Sequence, residues 1–199
     1  MNFSMNNNIT NVVLAGVGGQ GILLASEIVA RAAMAAGYEV KTNEVHGMAQ
    51  RGGSVIAQIR FGPEVHGPLI EAGTAQVLAS LECIEALRLA EYLAPDGLAV
   101  VSKQEVIPVS VSSGSAKYPE NAEERLKKTF RRLLFLDAVQ IAIDAGNIRA
   151  SNTVIVGALS TGIQLPTEAW HQAIRECVKE KFVALNIKAF DAGATAARG

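Results

Sequence analysis

Six consecutive residues constrain this chain most: Gly16-Val17-Gly18-Gly19-Gln20-Gly21. They follow the apolar run Val12, Val13, Leu14 and Ala15. They precede a stretch in which Leu23, Leu24, Ile28, Ala32 and Ala35 recur at helical spacing. A short β-branched run closed by glycines reads as a buried strand, and the change of period marks strand, turn, then helix. A G-x-G-x-x-G turn in that setting bends sharply and lets a ligand approach the backbone. The helix start beyond it offers free N–H groups and the positive end of a dipole. Gly16, Gly18, Gly19, Gln20 and Gly21 are therefore candidate ligand-binding residues, for a pyrophosphate, a monophosphate or a carboxylate. The same glycines would also serve a helix that only needs to pack tightly on its strand. Gly18 is expected at positive φ, where a β-branched side chain is poorly tolerated.

Gly37 supplies a stop for the first helix, and residues 38–42 read as a second strand, completing one βαβ unit. Downstream, residues 54–61 alternate as a strand with one wetter face, and residues 75–81 read as another. Residues 82–93 read as a helix, Pro95-Asp96-Gly97 as a turn and residues 98–101 as a strand. Residues 106–111 suggest an edge strand, since Pro108 argues against a central place. From Asn121 a helix with the apolar stripe Ala122, Leu126, Phe130 and Leu133 is expected, then a last strand over 134–137. Helices over 138–145, 153–161 and 167–183 complete the pattern. The expected fold is α/β: a Rossmann-like three-layer αβα domain with a mostly parallel sheet and a helical C-terminal part. Residues 1–9 are expected to be disordered, 10–192 to form a single domain and 193–199 a flexible tail.

The segment from Glu44 to Gly53 is the second concentration of chemistry. It gathers Glu44, His46, Gln50 and Arg51 among Gly47, Gly52 and Gly53, between two apolar strands. Loops at the carboxyl ends of parallel strands are where ligands collect in open α/β sheets. Arg51 beside Gly52 can clamp a carboxylate or phosphate through two parallel hydrogen bonds, and His46 can exchange a proton near neutral pH. A loop whose polar groups merely cap helices and pair with each other is the plain alternative. Glu44 also stands about where a dinucleotide fold places its ribose-binding acid, which keeps a NAD(P)-binding reading open. Elsewhere His66 reads as a turn residue and His171 as a surface one. The basic residues from Arg125 to Arg132 read as a solvated helix face, or as one that meets an acidic partner or nucleotide phosphates.

Composition removes whole classes. The formal net charge is -1, so no basic excess is available to hold nucleic acid or an anionic membrane by field alone. Cys83 and Cys177 are the two cysteines, too few for a cluster or structural zinc site within this chain, and no metal site is expected. The first lysine or arginine is Arg31, and the apolar stretch around the glycine turn is too interrupted to span a membrane. A soluble cytoplasmic protein is the expectation. No catalytic residue is identified.

The glycine turn continued as Ile22-Leu23-Leu24-Ala25, together with Glu44-Val45-His46-Gly47-Met48-Ala49-Gln50-Arg51-Gly52-Gly53-Ser54, resembles the gamma-type domain of the 2-oxoacid:ferredoxin oxidoreductases. Within them it is similar to the small-subunit branch acting on indolepyruvate. The resemblance extends through Leu81-Glu82, Glu85-Ala86-Leu87-Arg88, residues 152–159 and residues 186–193. It implies a subunit of a complex that decarboxylates a 2-oxoacid, an aryl pyruvate in that branch, releases an acyl-CoA and passes electrons to ferredoxin. It implies thiamine diphosphate, magnesium and [4Fe-4S] clusters held mainly by a large partner subunit, CoA handled near the cleft, and an isolated chain that is inactive. Glu44, His46, Gln50, Arg51 and Gly52 are then expected at the cleft or the partner interface. A stand-alone NAD(P)-binding oxidoreductase and a non-catalytic assembly domain of the same fold are the alternatives.

Overall fold

The computed structural model describes residues 8–47, 53–106 and 121–199. Six strands form one sheet: β1 (Thr10–Val17), β2 (Glu39–His46), β3 (Ser54–Gly62), β4 (Ala75–Ser80), β5 (Leu93–Ser102) and β6 (Leu133–Leu136). Their order is β2-β3-β1-β4-β5-β6. β1, β4, β5 and β6 run parallel, while β3 is antiparallel to both β1 and β2. The sheet is therefore mixed but mostly parallel, as expected.

Alternation along the strands explains the layers. Val12 and Leu14 face one core, which also takes Val77, Ala79 and Val100. Val13 and Ala15 face the other, with Leu78, Ala99 and Val101. Strands apolar on both faces must be covered twice. The first face carries α1 (Ile22–Ala35), α4 (Ala138–Ala145), α5 (Ser151–Ser160), α6 (Thr167–Cys177) and α7 (Val183–Ala196). The second carries the shorter α2 (Cys83–Arg88) and α3 (Ala122–Thr129). Three layers result.

Several local expectations are corrected. β1, α1 and β2 follow one another, but they are not one compact βαβ unit, because β3 inserts between β1 and β2. β2 does not stop at Thr42: it continues through Glu44 to His46, held by the whole length of β3. The helix expected over 82–93 ends at Arg88, followed by a 3-10 turn at Ala90–Tyr92. Pro95-Asp96-Gly97 lies inside β5, where the ladder jumps from Ala75 opposite Leu93 to Val77 opposite Leu98. The turn chemistry became an irregularity in a strand, because flanking Leu93 and Leu98 both pair with β4. α3 ends at Thr129, so Phe130 and Leu133 reach the core from beyond the helix, Leu133 from β6. Val106 is not in a strand, and the rest of the expected edge strand lies outside the described residues. The long helix expected over 167–183 breaks after Cys177, and α7 follows it. Residues 193–196, read as tail, finish α7 and bury Gly193 and Ala194.

Candidate functional site

Because β1, β4, β5 and β6 are parallel, their carboxyl ends share one edge of the sheet. The antiparallel β3 begins at that same edge, and β2 ends there, so the glycine turn meets His46, Gly47, Gly53 and Ser54. Two backbone bonds tie them: Gly18 N donates to Gly53 O at 2.8 Å, and Gly47 N donates to Ser54 O at 2.8 Å. The connection containing Gln50, Arg51 and Gly52 thus leaves and returns beside the glycine turn, but those three residues lie outside the described ones.

Within the turn the left-handed positions are Gly19 (φ 101) and Gly21 (φ 81). Gly18 is not at positive φ, which corrects the expectation from sequence. At Gly21 a Cβ would stand 2.6 Å from Asn152 Nδ2, whereas at Gly19 it would meet nothing within 4 Å. The inner glycine is a packing requirement and the outer one faces open space. Gly21 is also the N-cap of α1: no side chain caps that end, and no acidic residue occupies its first turn. Its first N–H groups and the helix dipole are left to favour an anion. Asn152 Nδ2 donates to Gly21 O at 3.1 Å, fixing the turn from the helical layer.

Gln20 is turned inward. Its Oε1 accepts from Val17 N at 2.7 Å, and its Nε2 donates to Leu81 O at 3.0 Å and Gln104 Oε1 at 2.9 Å. It therefore ties β1 to the ends of β4 and β5. A recess of about 380 Å³ opens against the turn, lined by Gly18, Gly19, Ile22, Leu23, His46 and Val55 among others. Glu44 sits opposite Ala57 within β2, exposed and two register positions short of the His46–Val55 pair, on the same face.

Sequence reasoning missed a buried acidic cluster beside this edge. Ser54 Oγ donates to Glu85 Oε2, and Arg88 Nη1 donates to Glu85 Oε1 at 2.8 Å. Glu82 caps α2 by accepting from Glu85 N at 2.8 Å. The Glu85-x-x-Arg88 spacing signalled the ion pair; the Ser54 contact had no local signal. The cysteines lie on opposite faces of the sheet, Cys83 in the α2 layer and Cys177 at the end of α6. Burial pushes their thiols up, to about 12 and about 11. Neither location suits a thiolate ligand, and among the described residues no group of three or more His, Cys, Asp or Glu could hold a metal. His171 is less exposed than expected: Nε2 meets Asp191 Oδ1 at 2.8 Å and the ring stands edge-on to Phe190. His66 is exposed.

A family model described as pyruvate ferredoxin/flavodoxin oxidoreductase matches residues 11–196. The chain belongs to that family. The indolepyruvate oxidoreductase subunit IorB of Pyrococcus horikoshii is 45% identical over 94% of this chain and 96% of its own length. Its counterpart in Archaeoglobus fulgidus is 47% identical over 92% of each. Among solved structures, the gamma subunit of a keto/oxoacid ferredoxin oxidoreductase from Geobacter sulfurreducens superposes with a TM-score of 0.70 at 23% identity, covering 95% of this chain and 98% of that one. At that identity the likeness shows the fold. Members of the family are subunits of oxidoreductases, and this chain is one as well. No helix among the described residues is long and apolar enough to cross a membrane.

Proposed function

We propose that this chain is the small subunit of an indolepyruvate:ferredoxin oxidoreductase. In that role it supports CoA-dependent oxidative decarboxylation of an aryl pyruvate to an acyl-CoA, with electrons passed to ferredoxin. The observation that carries the reading is identity of 45% and 47%, over more than nine-tenths of the chain, to two indolepyruvate oxidoreductase subunits. The large partner subunit would hold thiamine diphosphate, magnesium and the [4Fe-4S] clusters, which supply the decarboxylation and the electron path. This chain's part is to bind and to shape. The uncapped start of α1 and the open side of Gly19 suit an anionic group, a phosphate of CoA or a carboxylate of the partner. Gln20 holds that turn in place from behind. His46 and Val55 wall the recess, and the proposal gives Glu44, Gln50, Arg51 and Gly52 the role of facing the cleft or the partner.

One observation weighs against the stand-alone NAD(P) alternative. The ribose-binding acid of a dinucleotide fold ends the strand next to β1. Here β3 takes that place, so Glu44 lies two strands away, roughly 10 Å across the sheet. The test is to reconstitute the chain with the large subunit and follow ferredoxin reduction. Turnover should require indolepyruvate, CoA and both subunits. Equal turnover without this chain, or NAD(P) reduction by the chain alone, would overturn the proposal.

A further inference from the structure

A second recess, of about 390 Å³, lies in the helical layer, on the other side of the first turn of α1. Its apolar walls are Leu24 from α1, Val178 after α6, and Phe182 and Leu185 at the start of α7. Phe182 is 40% exposed, and Ile148, beside the lining residues Asn147 and Arg149, is 53% exposed. Large apolar side chains clustered at one mouth mark a surface built to be covered.

The rim says what covers it. Arg149 and Lys179 line the recess, and neither side chain has an ion pair or hydrogen bond among the described residues. Arg31, Lys41, Arg88, Lys127 and Arg175 are paired with carboxylates, whereas the two cations that line this recess are left to an outside partner. The lining amide oxygens are each already engaged by a donor of this chain. Asn147 Oδ1 is taken by Arg149 N at 2.9 Å, and Asn186 Oδ1 by Thr153 Oγ1 at 2.7 Å. An apolar floor lined by two unpaired cations, with Lys181 Nζ 5.0 Å from the Phe182 ring centroid beside them, complements an apolar side chain flanked by carboxylates. We propose that this recess is a docking site for the larger subunit of the oxidoreductase, which inserts an apolar residue between Leu24 and Phe182 and sets acidic residues against Arg149 and Lys179. The inference rests on the subunit reading above. It places a second point of attachment across α1 from the glycine turn.

The experiment titrates the large subunit with four full-length chains: wild type, Phe182→Asp, Arg149→Glu and Leu69→Asp. Leu69 is 65% exposed, precedes Ile70 of the core on the other face of the sheet, and controls for loss of apolar surface as such. Phe182→Asp and Arg149→Glu should each weaken association at least about tenfold, and Leu69→Asp should not. A second measurement needs no variant. Cys177 lines the recess, so maleimide labelling of it should slow at least about tenfold in the wild-type complex, while the buried Cys83 reports that the fold is intact. Equal binding by all four chains, with Cys177 labelled equally fast in the complex, would overturn the docking site and leave the subunit reading standing. Failure of the wild-type chain to bind the large subunit would overturn both. Two further results would give the recess to another occupant and overturn the proposal. One is a dimer of the chain that Phe182→Asp dissociates. The other is protection of Cys177 by indole-3-acetate without the large subunit.

Discussion

Replacing Gly157 with alanine tests the glycine that, among the described residues, leaves least room for a methyl group. Gly157 lies on α5 where that helix crosses α7. A Cβ there would stand 1.9 Å from Phe190 O and 3.0 Å from Ala194 N. The crossing is reciprocal, since a Cβ at Gly193 would stand 2.0 Å from Val154 O. Both obstacles are backbone, so no rotamer change relieves them. The helices must part by roughly 1.5 Å to reach ordinary carbon–oxygen contact. Overpacking of this kind costs about 1–3 kcal/mol. Parting also strains the buried bond from Thr153 Oγ1 to Asn186 Oδ1, 2.7 Å long, whose loss costs about 1–3 kcal/mol. Alanine's better helix propensity returns about 1 kcal/mol. The net expectation is a loss of about 3 kcal/mol, read in urea as a midpoint lowered by about 1.5 M at unchanged slope. Gly193→Ala should cost a similar amount. The double variant should cost clearly less than the two together, because helices already parted accept the second methyl. A Gly157→Ala chain within about 0.5 kcal/mol of wild type, or strict additivity in the pair, would refute the account of the crossing.

Asn152→Ala removes the donor to Gly21 O and should lower stability by about 1–3 kcal/mol, measured by urea unfolding, while loosening the start of α1. Gly19→Ala meets open space but a strained φ of 101, so it should cost about 1–3 kcal/mol and reduce turnover of the complex by more than that stability loss explains. Arg51→Ala should weaken CoA or large-subunit binding by about 2–5 kcal/mol with poor rescue by lysine, and unchanged affinity in both variants would remove Arg51 from the site. Burial disfavours the Cys177 thiolate and holds its thiol up at about 11, so alkylation of the free chain should rise about tenfold per pH unit from pH 7 to pH 10; a plateau near pH 8.5 would show an unshifted thiol.

What could be read from the chain, and what could not, divides by range of interaction. β1, the glycine turn and α1 were legible because each is specified locally: a run apolar on both faces, residues that accept left-handed φ, then helical spacing. The place of β3 was not, because a strand's own residues say that it pairs but not with what. Its insertion between β1 and β2 is settled by a ladder from Thr10–Phe61 to Val17–Ser54 that no window contains. Pro95-Asp96-Gly97 misled for the same reason: local turn chemistry lost to the pairing of Leu93 and Leu98 with β4. The C-terminal residues failed in the opposite way. Their small side chains look like flexible linker composition, yet smallness is what lets α7 lie against Gly157.

That displacement of β2 bears on function more than the glycine motif does. G-x-G-x-x-G at a strand–helix turn marks dinucleotide folds, and this chain, a member of another family, carries it too, so the motif does not separate them. A dinucleotide needs its acid on the strand beside β1, and the hairpin formed by β2 and β3 puts a different strand there. The same hairpin carries Gly47 and Gly53 to the glycine turn, where Gly53 O accepts from Gly18 N. The end of the sheet is thereby bordered by Gly47 and Gly53 on one side and left open on the side of Gly19 and Leu23. Leu23 is 47% exposed there, and Val45, on the neighbouring hairpin, is 53% exposed. An opening bordered by backbone N–H groups and exposed aliphatic side chains is poorly suited to enclose a small cofactor alone. It is well suited to complete a cleft whose other wall belongs to a second subunit. Two recesses on either side of the first turn of α1 would then give that subunit two separate grips on one rigid element.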